Sequence, residues 1–355
     1  MNVCKNCQKR LRLEEDIITL DAENCELCCG LLNHINDYFN IFLNETKEIE
    51  FSKFLLGVET IDECFKRDLQ TVANLCPECR NFKQEFTFQL GGRIEEVLGK
   101  KVDFKEPELT FKINQETGDY SIRIKPIYIA GRYKKMRRGI PQSPWINSAK
   151  GREGEKSISE YIGISALKLF RAKDYNFFAS GREDVDALML GNGRPFYVEI
   201  SKPLIRSADL KELETSIKEY SRSGIEVIGL HLASKEEIEE LKNSKYDKVY
   251  EVGISLEKEE KSIDEILDKI RNIEIEQQTP NRVLGIRKDK LRKRRIYEVN
   301  ILKNEGKRLV LIIKAEAGTY IKEFITGDNG RTKPSMSEML GVNIQIEYLN
   351  VLEVN

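Results

Sequence analysis

Two histidines, His34 and His231, serve a chain of 355 residues, and there is a single tryptophan, Trp145. A Ser-His-Asp triad or a histidine-ligated catalytic metal would need those histidines beside suitable partners, so carboxylates become the better candidates for chemistry. No apolar stretch approaches the roughly 18 residues that span a bilayer, and the first ten residues, MNVCKNCQKR, hold no apolar signal core. The expectation is a cytosolic protein with no membrane role. Beyond residue 79 there is no cysteine, and no glycine-rich phosphate or S-adenosylmethionine loop stands in the right context. The GNG triplet at 191–193 fails as a dinucleotide fingerprint because its third glycine is missing and no helix is expected after it.

With 40% hydrophobic and 33% charged residues, the composition is that of an ordinary folded protein of two or three domains. The net charge of −1 conceals an asymmetry: residues 1–120 sum to −8 and residues 121–355 to +7. The positive excess is concentrated in RYKKMRR (132–138) and RKDKLRKRR (287–295). One such run is commonly a solvated face, but two in one domain, near Tyr133, Trp145 and Tyr297, point to a nucleic acid held by its phosphates and stacked on aromatic rings.

All eight cysteines fall within residues 4–79, as Cys4-x-x-Cys7, Cys25-x-x-Cys28 with Cys29 adjoining, Cys64, and Cys76-x-x-Cys79. Two C-x-x-C turns can close a tetrahedral zinc site, and a cytosolic compartment argues against disulfides. Cys4, Cys7, Cys25 and Cys28 are nearest in sequence, while Cys76 and Cys79 could replace either pair. Four thiolates leave no open coordination position, so such a metal is structural. Buried thiols without metal are the plainer alternative.

Helical spacing marks GLLNHINDYFNIFL (30–43), with His34 expected as a surface or core residue rather than a ligand. KQEFTFQLGG followed by GRIEEVLGK reads as strand then helix, and residues 107–129 as strands alternating around an ETGD turn. Capping-box spacing at Ser157/Glu160, Ser234/Glu237 and Ser262/Glu265 starts three helices. Strands are expected at 176–180, 196–200, 225–232, 249–256, 296–302, 308–316 and 343–354. The expectation is a zinc-containing α/β module over 1–120, then an α+β domain around a mixed, mostly antiparallel sheet over 121–355. Between two of those strands, ASGREDVDALMLGNGRPFYVEI (179–200) turns through glycines while presenting Arg182, Glu183, Asp184 and Asp186. Acids in such a loop are catalytic candidates, with a solvated turn as the competing reading.

Residues 181–200, QQTPNRVLGIRKDKLRKRRIY (277–297) and AEAGTYIKEFITGDNGRTKPS (315–335) resemble the signature segments of the tRNA pseudouridine synthases of the pseudouridylate synthase 10 family. AGRYKKMRRGIPQSPW (130–145) and the paired-cysteine N-terminus with CCGLL match it too, and the compact N-terminal part is closer to the archaeal branch. The resemblance implies an isomerase acting on uridine in the tRNA T-arm, at position 55 with position 54 left open as a second target, using an aspartate and no catalytic cofactor. It implies that Asp184 is that aspartate, acting on the ribose as nucleophile or base with Lys322 favouring its charged form. It implies that Tyr250 of Lys248-Val249-Tyr250 is the residue stacked on the uracil, with Tyr246 the nearby alternative, and that Ile321 and Leu349 pack around the base. Arg132, Lys134, Lys135, Arg137, Arg138 and Arg182, together with Arg292, Lys293, Arg294 and Arg295, hold tRNA. The N-terminal module is implied to be THUMP-like, zinc-bound and RNA-binding, gripping RNA through a local positive face or by shape despite its charge. No protein partner is called for. The alternative is a non-catalytic, zinc-containing tRNA-binding protein that retains the synthase fold.

Overall fold

The computed structural model describes the chain except residues 15–17, 22–23, 145, 148–150, 153, 260–262 and 286, and the side chains of 146–147 and 151–152. Trp145 and the Ser262 cap therefore lie outside the described residues. Two compact units result: Met1–Pro126 with Phe170–Lys173 and Ser201–Ser207, and Ile127–Leu169 with Asp174–Ile200 and Ala208–Asn355. Among the described residues, no helix is long and apolar enough to cross a membrane.

The first unit centres on a four-stranded sheet in the order Lys101–Val102, Lys53–Glu59, Leu109–Asn114, Tyr120–Ile124. The last two form the expected hairpin, turned at Gly118 with φ +73°. Helix Ile35–Thr46 follows the spacing read at 30–43 and buries Tyr38, Phe39 and Phe42. Phe42 meets the rings of Phe51, Phe54 and Phe111 at centroid distances of 6.0, 5.8 and 5.4 Å, an aromatic core. His34 is an exposed helix-start residue whose Nδ1 lies 2.8 Å from Asp37.

One expectation fails here. KQEFTFQLGG is not a strand but part of a single helix, Phe82–Leu98, closed at its start by a capping box between Asn81 and Gln84. Phe82, Phe86, Leu90 and Ile94 recur every four residues and are all fully buried, so the helical period prevails over the local F-T-F alternation.

The second unit is built on a ten-stranded sheet. Its order is Ile225–Leu232, Ile127–Lys135, Leu188–Ser201, Ile344–Val354, Lys248–Leu256, Arg308–Ala315, Arg292–Glu305, Ile273–Gln277 and Thr332–Lys333, with Asp174–Ala179 paired to Leu188–Ser201 off this path. Pairing along the path is antiparallel, except that Leu188–Ser201 and Ile344–Val354 run parallel, Leu188 opposite Asn350. The fold is thus α+β with a mixed, mostly antiparallel sheet. The Ser157 capping box forms completely: Ser157 N–H donates to Glu160 at 2.8 Å and Glu160 N–H to Ser157 Oγ at 3.3 Å. At Ser234 only the forward bond forms, because the Glu237 carboxylate lies against His231 Nε2 at 2.7 Å.

The GNG triplet has a backbone task. Gly191 (φ +52°) and Gly193 (φ +74°) create an irregularity in Leu188–Ser201 between Met189 and Arg194, and a Cβ on Gly191 would overlap the carbonyl of Leu352. The basic runs lie partly in strands. Arg132–Lys135 ends one strand and Arg292–Arg295 begins another.

Candidate active site

The turn joining Asp174–Ala179 to Leu188–Ser201 carries the acids of the GRED segment, and its geometry is imposed from beneath. Glu183 points inward and pairs with Arg194 at 2.8 Å, both side chains 1% exposed. Tyr133 donates its hydroxyl proton to the same carboxylate at 3.0 Å, and Gln142 bridges the Tyr133 hydroxyl and the Gly181 carbonyl at 2.8 Å each. Arg194 also donates to the Ser180 carbonyl at 2.8 Å. On the other side, Lys135 Nζ donates to the carbonyls of Ile140, Asp184 and Val185, each at 3.0 Å. Burial lowers the Lys135 amine to about 8, with the carboxylates of Glu183, Asp186 and Asp184 opposing that fall.

Held by its neighbours, Asp184 projects outward with its side chain 33% exposed. Its Oδ2 lies 3.2 Å from Lys322 Nζ, the pairing that the resemblance implied. Lys322 stands at the start of helix Ile321–Thr326 and also reaches both oxygens of Asp186, at 2.8 and 2.9 Å. Burial raises the Asp186 carboxyl, but the Lys322 contact outweighs it and the net shift is downward. Ile321 and Leu349 are 4% and 7% exposed, and Leu349 sits opposite Val252 on the strand that carries Tyr250. Tyr250 is almost completely buried, its hydroxyl raised first by burial and further by the charge of Asp184.

Several residues assigned to RNA are occupied otherwise. Lys135 is wholly buried and its donors go to three carbonyls, so it is a brace for the turn rather than a phosphate contact. Tyr133, a candidate for stacking, is 0% exposed and offers no ring face to a base. Arg132 spends its guanidinium on the carbonyls of Asn192 (2.7 Å), Gly193 (3.0 Å) and Val354. Arg138 bonds Leu349 O at 3.1 Å, Asn350 Oδ1 at 2.8 Å and the carbonyl of Asp186, tying the Asp184 turn to the strand behind it. Arg137 pairs with Glu155, Lys293 with Glu274 at 3.0 Å, and Arg292 donates to Thr279 Oγ1 at 3.0 Å, while Arg294 lies 3.8 Å from Glu316. Lys134 is half-buried; Arg182 and Arg295 are exposed.

Arg282 was not singled out in the sequence. It lies on the short turn Asn281–Val283 and donates from Nη1 to Asp184 Oδ1 at 2.9 Å and from Nε to Glu323 at 2.7 Å. Burial works against its charge, but Glu323 and Asp184 raise it overall. One arginine just ahead of a run of nine residues rich in basic side chains carries no spacing signal to set it apart.

In the first unit, the sulfurs of Cys4, Cys7, Cys25 and Cys28 all lie within 4.8 Å of one another, and all four residues are buried. Cys4 starts helix Lys5–Leu11 and its sulfur accepts from the Cys7 N–H at 3.4 Å, which sets two thiols on one turn. Arg10 approaches Cys7 Sγ at 3.6 Å and pairs with the fully buried Asp68, which accepts the Phe82 N–H at 2.7 Å. Cys76 and Cys79 are bonded to each other, as are Cys29 and Cys64, with Cα separations of 5.3 and 6.4 Å. Both separations fall in disulfide range, against the expectation of reduced thiols throughout.

Residues 128–355 match the family model described as "Pus10, C-terminal", and residues 39–114 match "Pus10 THUMP domain, archaeal". Proteins named tRNA pseudouridine synthase Pus10 are similar along their length. That of Archaeoglobus fulgidus is 34% identical over 368 residues, covering 100% of both chains. That of Methanopyrus kandleri is 34% identical, covering 97% of this chain and 84% of its own. That of Korarchaeum cryptofilum is 36% identical, covering 96% and 95%. With a model matched over well over half its length and relatives matched end to end, the chain belongs to the Pus10 family.

Proposed function

We propose that this protein is a tRNA pseudouridine synthase that isomerises uridine in the T-arm, at position 55 with position 54 as a second candidate, through Asp184. The observation that carries the reading is the outward Asp184 carboxylate paired with Lys322, on a turn locked from below, its charge reaching the buried Tyr250 hydroxyl. The reaction breaks the N1–C1′ bond, rotates the uracil and forms C5–C1′; the hydrogen leaves C5 and N1 regains a proton. Nothing is oxidised, reduced or transferred to a second substrate. Asp184 acts at the ribose, as nucleophile on C1′ or as base at the sugar. Lys322, itself bound to Asp186, pairs with Asp184, while Tyr250, Ile321 and Leu349 form the wall against which the uracil turns. Extracting the base from its stack costs a few kcal/mol, offset by stacking on that wall and by phosphate contacts.

Arg182, Lys134 and Arg295, whose side chains are not committed to a partner acid among the described residues, supply those phosphate contacts. The four thiols at Cys4, Cys7, Cys25 and Cys28 fit zinc: the donors are soft, buried and mutually close, and Arg10 offsets the negative charge of a tetrathiolate. With every coordination position taken by sulfur, that metal would stabilise the THUMP-bearing unit and supply no chemistry to the site.

The test is to incubate the protein with unmodified tRNA transcript and map pseudouridine by carbodiimide treatment and primer extension, wild type beside Asp184→Asn. T-loop modification by wild type alone supports both reaction and residue. Modification elsewhere in the tRNA refutes the T-arm assignment. Binding without modification by either protein refutes the synthase reading and leaves the RNA-binding one.

A further inference from the structure

Asp184 meets two cations, and Lys322 is the more distracted of them. Its ammonium is closer to Asp186, at 2.8 and 2.9 Å, than to Asp184 at 3.2 Å. Arg282 reaches the other oxygen, Oδ1, at 2.9 Å. A carboxylate tied through one oxygen still swings about its Cβ–Cγ bond, whereas one tied through both, by groups on separate elements, does not.

Arg282 is itself fixed. Its Nε donates to Glu323 at 2.7 Å, and a planar guanidinium committed along two edges has little freedom left. Glu323 is 6% exposed at its side chain, and its second oxygen is buried with no hydrogen-bond partner among the described residues. A buried carboxylate left half-satisfied is a poor device for stability alone. The backbone beneath Arg282 is braced as well. Asn281 donates from its backbone and side chain to the Asp328 carboxylate at 2.9 and 3.2 Å, and Arg331 Nε donates to Thr279 O at 3.0 Å. Buried Gln277 exchanges bonds with the backbone of Tyr320 at 2.9 and 3.0 Å, so the turn bearing Arg282 and the helix bearing Lys322 and Glu323 share one frame.

We infer that Arg282 is a positioning residue for the isomerisation: anchored by Glu323, it sets the rotation of the Asp184 carboxylate so that the reacting oxygen meets the ribose. The inference rests on the synthase reading and adds to it a second cation and its anchor. The competing role is a phosphate contact, since Arg282 is 40% exposed and precedes the basic run at 287–295.

The two roles separate in a single-turnover assay with protein in excess over unmodified tRNA transcript, read alongside filter-binding Kd at the same salt. Misplacing a reacting group by about 1 Å costs on the order of a hundredfold. Arg282→Met is expected to lower the saturated rate by about that factor while Kd stays within about threefold. Arg282→Lys keeps the charge but cannot bridge Glu323 and Asp184, so it too is slow, and it carries the test if the Met variant fails to fold. Glu323→Gln loses about tenfold in rate with Kd unchanged, which a purely RNA-gripping Arg282 would not show. A raised Kd with full rate at saturation overturns the inference, as does wild-type behaviour of Arg282→Met. Wild type that makes no pseudouridine removes the synthase reading, and the inference falls with it.

Discussion

Glu183 and Asp184 are adjacent in sequence and opposite in environment: Glu183 is sealed against Arg194 at 2.8 Å with 1% exposure, while Asp184 stands a third exposed against two cations. The buried carboxylate makes the outer one rigid, since the turn cannot rotate without breaking the pair beneath it.

Removing one member of that pair leaves an uncompensated buried charge, which costs about 3–5 kcal/mol. Arg194→Met is expected to lower the urea midpoint sharply and to abolish activity through the turn. A variant of wild-type stability would show that Glu183 finds another partner or is neutralised.

Lys135 gives a pH signature. Its amine falls from 10.5 to about 8 in the folded chain because burial opposes the charge. Between those values the unfolded chain binds the extra proton, so folding stability contributed by this group is lowest below pH 8 and rises towards pH 10.5. Lys135→Met loses the dependence along with three hydrogen bonds. The stability gap between wild type and variant, read from urea midpoints, is therefore expected to widen from pH 7.5 to pH 10; a constant gap would show that Lys135 titrates normally.

Lys322→Met tests the other side of Asp184. Pseudouridine formation is expected to fall at least tenfold while tRNA binding stays nearly intact, because Nζ faces Asp184 and Asp186 rather than open solvent. A large loss of binding, measured by filter retention, would reassign Lys322 to the RNA grip.

For the thiols, replacing Cys4 and Cys7 by Ser is expected to release zinc from the purified protein and to unfold the first unit, as read by metal analysis and circular dichroism. Unchanged metal content would rule out these four thiols as its ligands, and Cys76 and Cys79, bonded to each other, offer no thiolate in their place.

Exposed basic residues make a different prediction from braced ones. Arg295→Ala is expected to weaken tRNA binding across sequences and to shallow the salt dependence by about one phosphate contact. An unchanged salt slope would remove Arg295 from the interface.

Motifs that announce themselves locally were legible in the sequence: the Ser157 capping box, the strand at 225–232, the Asp184–Lys322 pairing through family segments, and the paired cysteines. What was missed depends on distance in space. Arg194 and Glu183 lie eleven residues apart, with the glycine irregularity at 191–193 between them, and sequence spacing does not show that they meet. Arg132 and Lys135 read as surface charge because sequence shows their charge and not the ring of carbonyls that receives it. The strand Thr332–Lys333 is too short for alternation to show, whereas Ile273–Gln277 alternates as I-E-I-E and was overlooked although its pattern was legible.

The strand Ile344–Val354 lies between Leu188–Ser201 and Lys248–Leu256, yet it follows every other strand of its sheet in the chain. During translation the Asp184 turn and Tyr250 leave the ribosome well before the strand that joins them. Until it emerges, two inner edges of the sheet face solvent unpaired, a state open to wrong partners. The surface that Asp184 and Tyr250 share is thus withheld until residues 344–354 have been made, and a nascent chain stalled before residue 344 would hold both without the strand that brings them together.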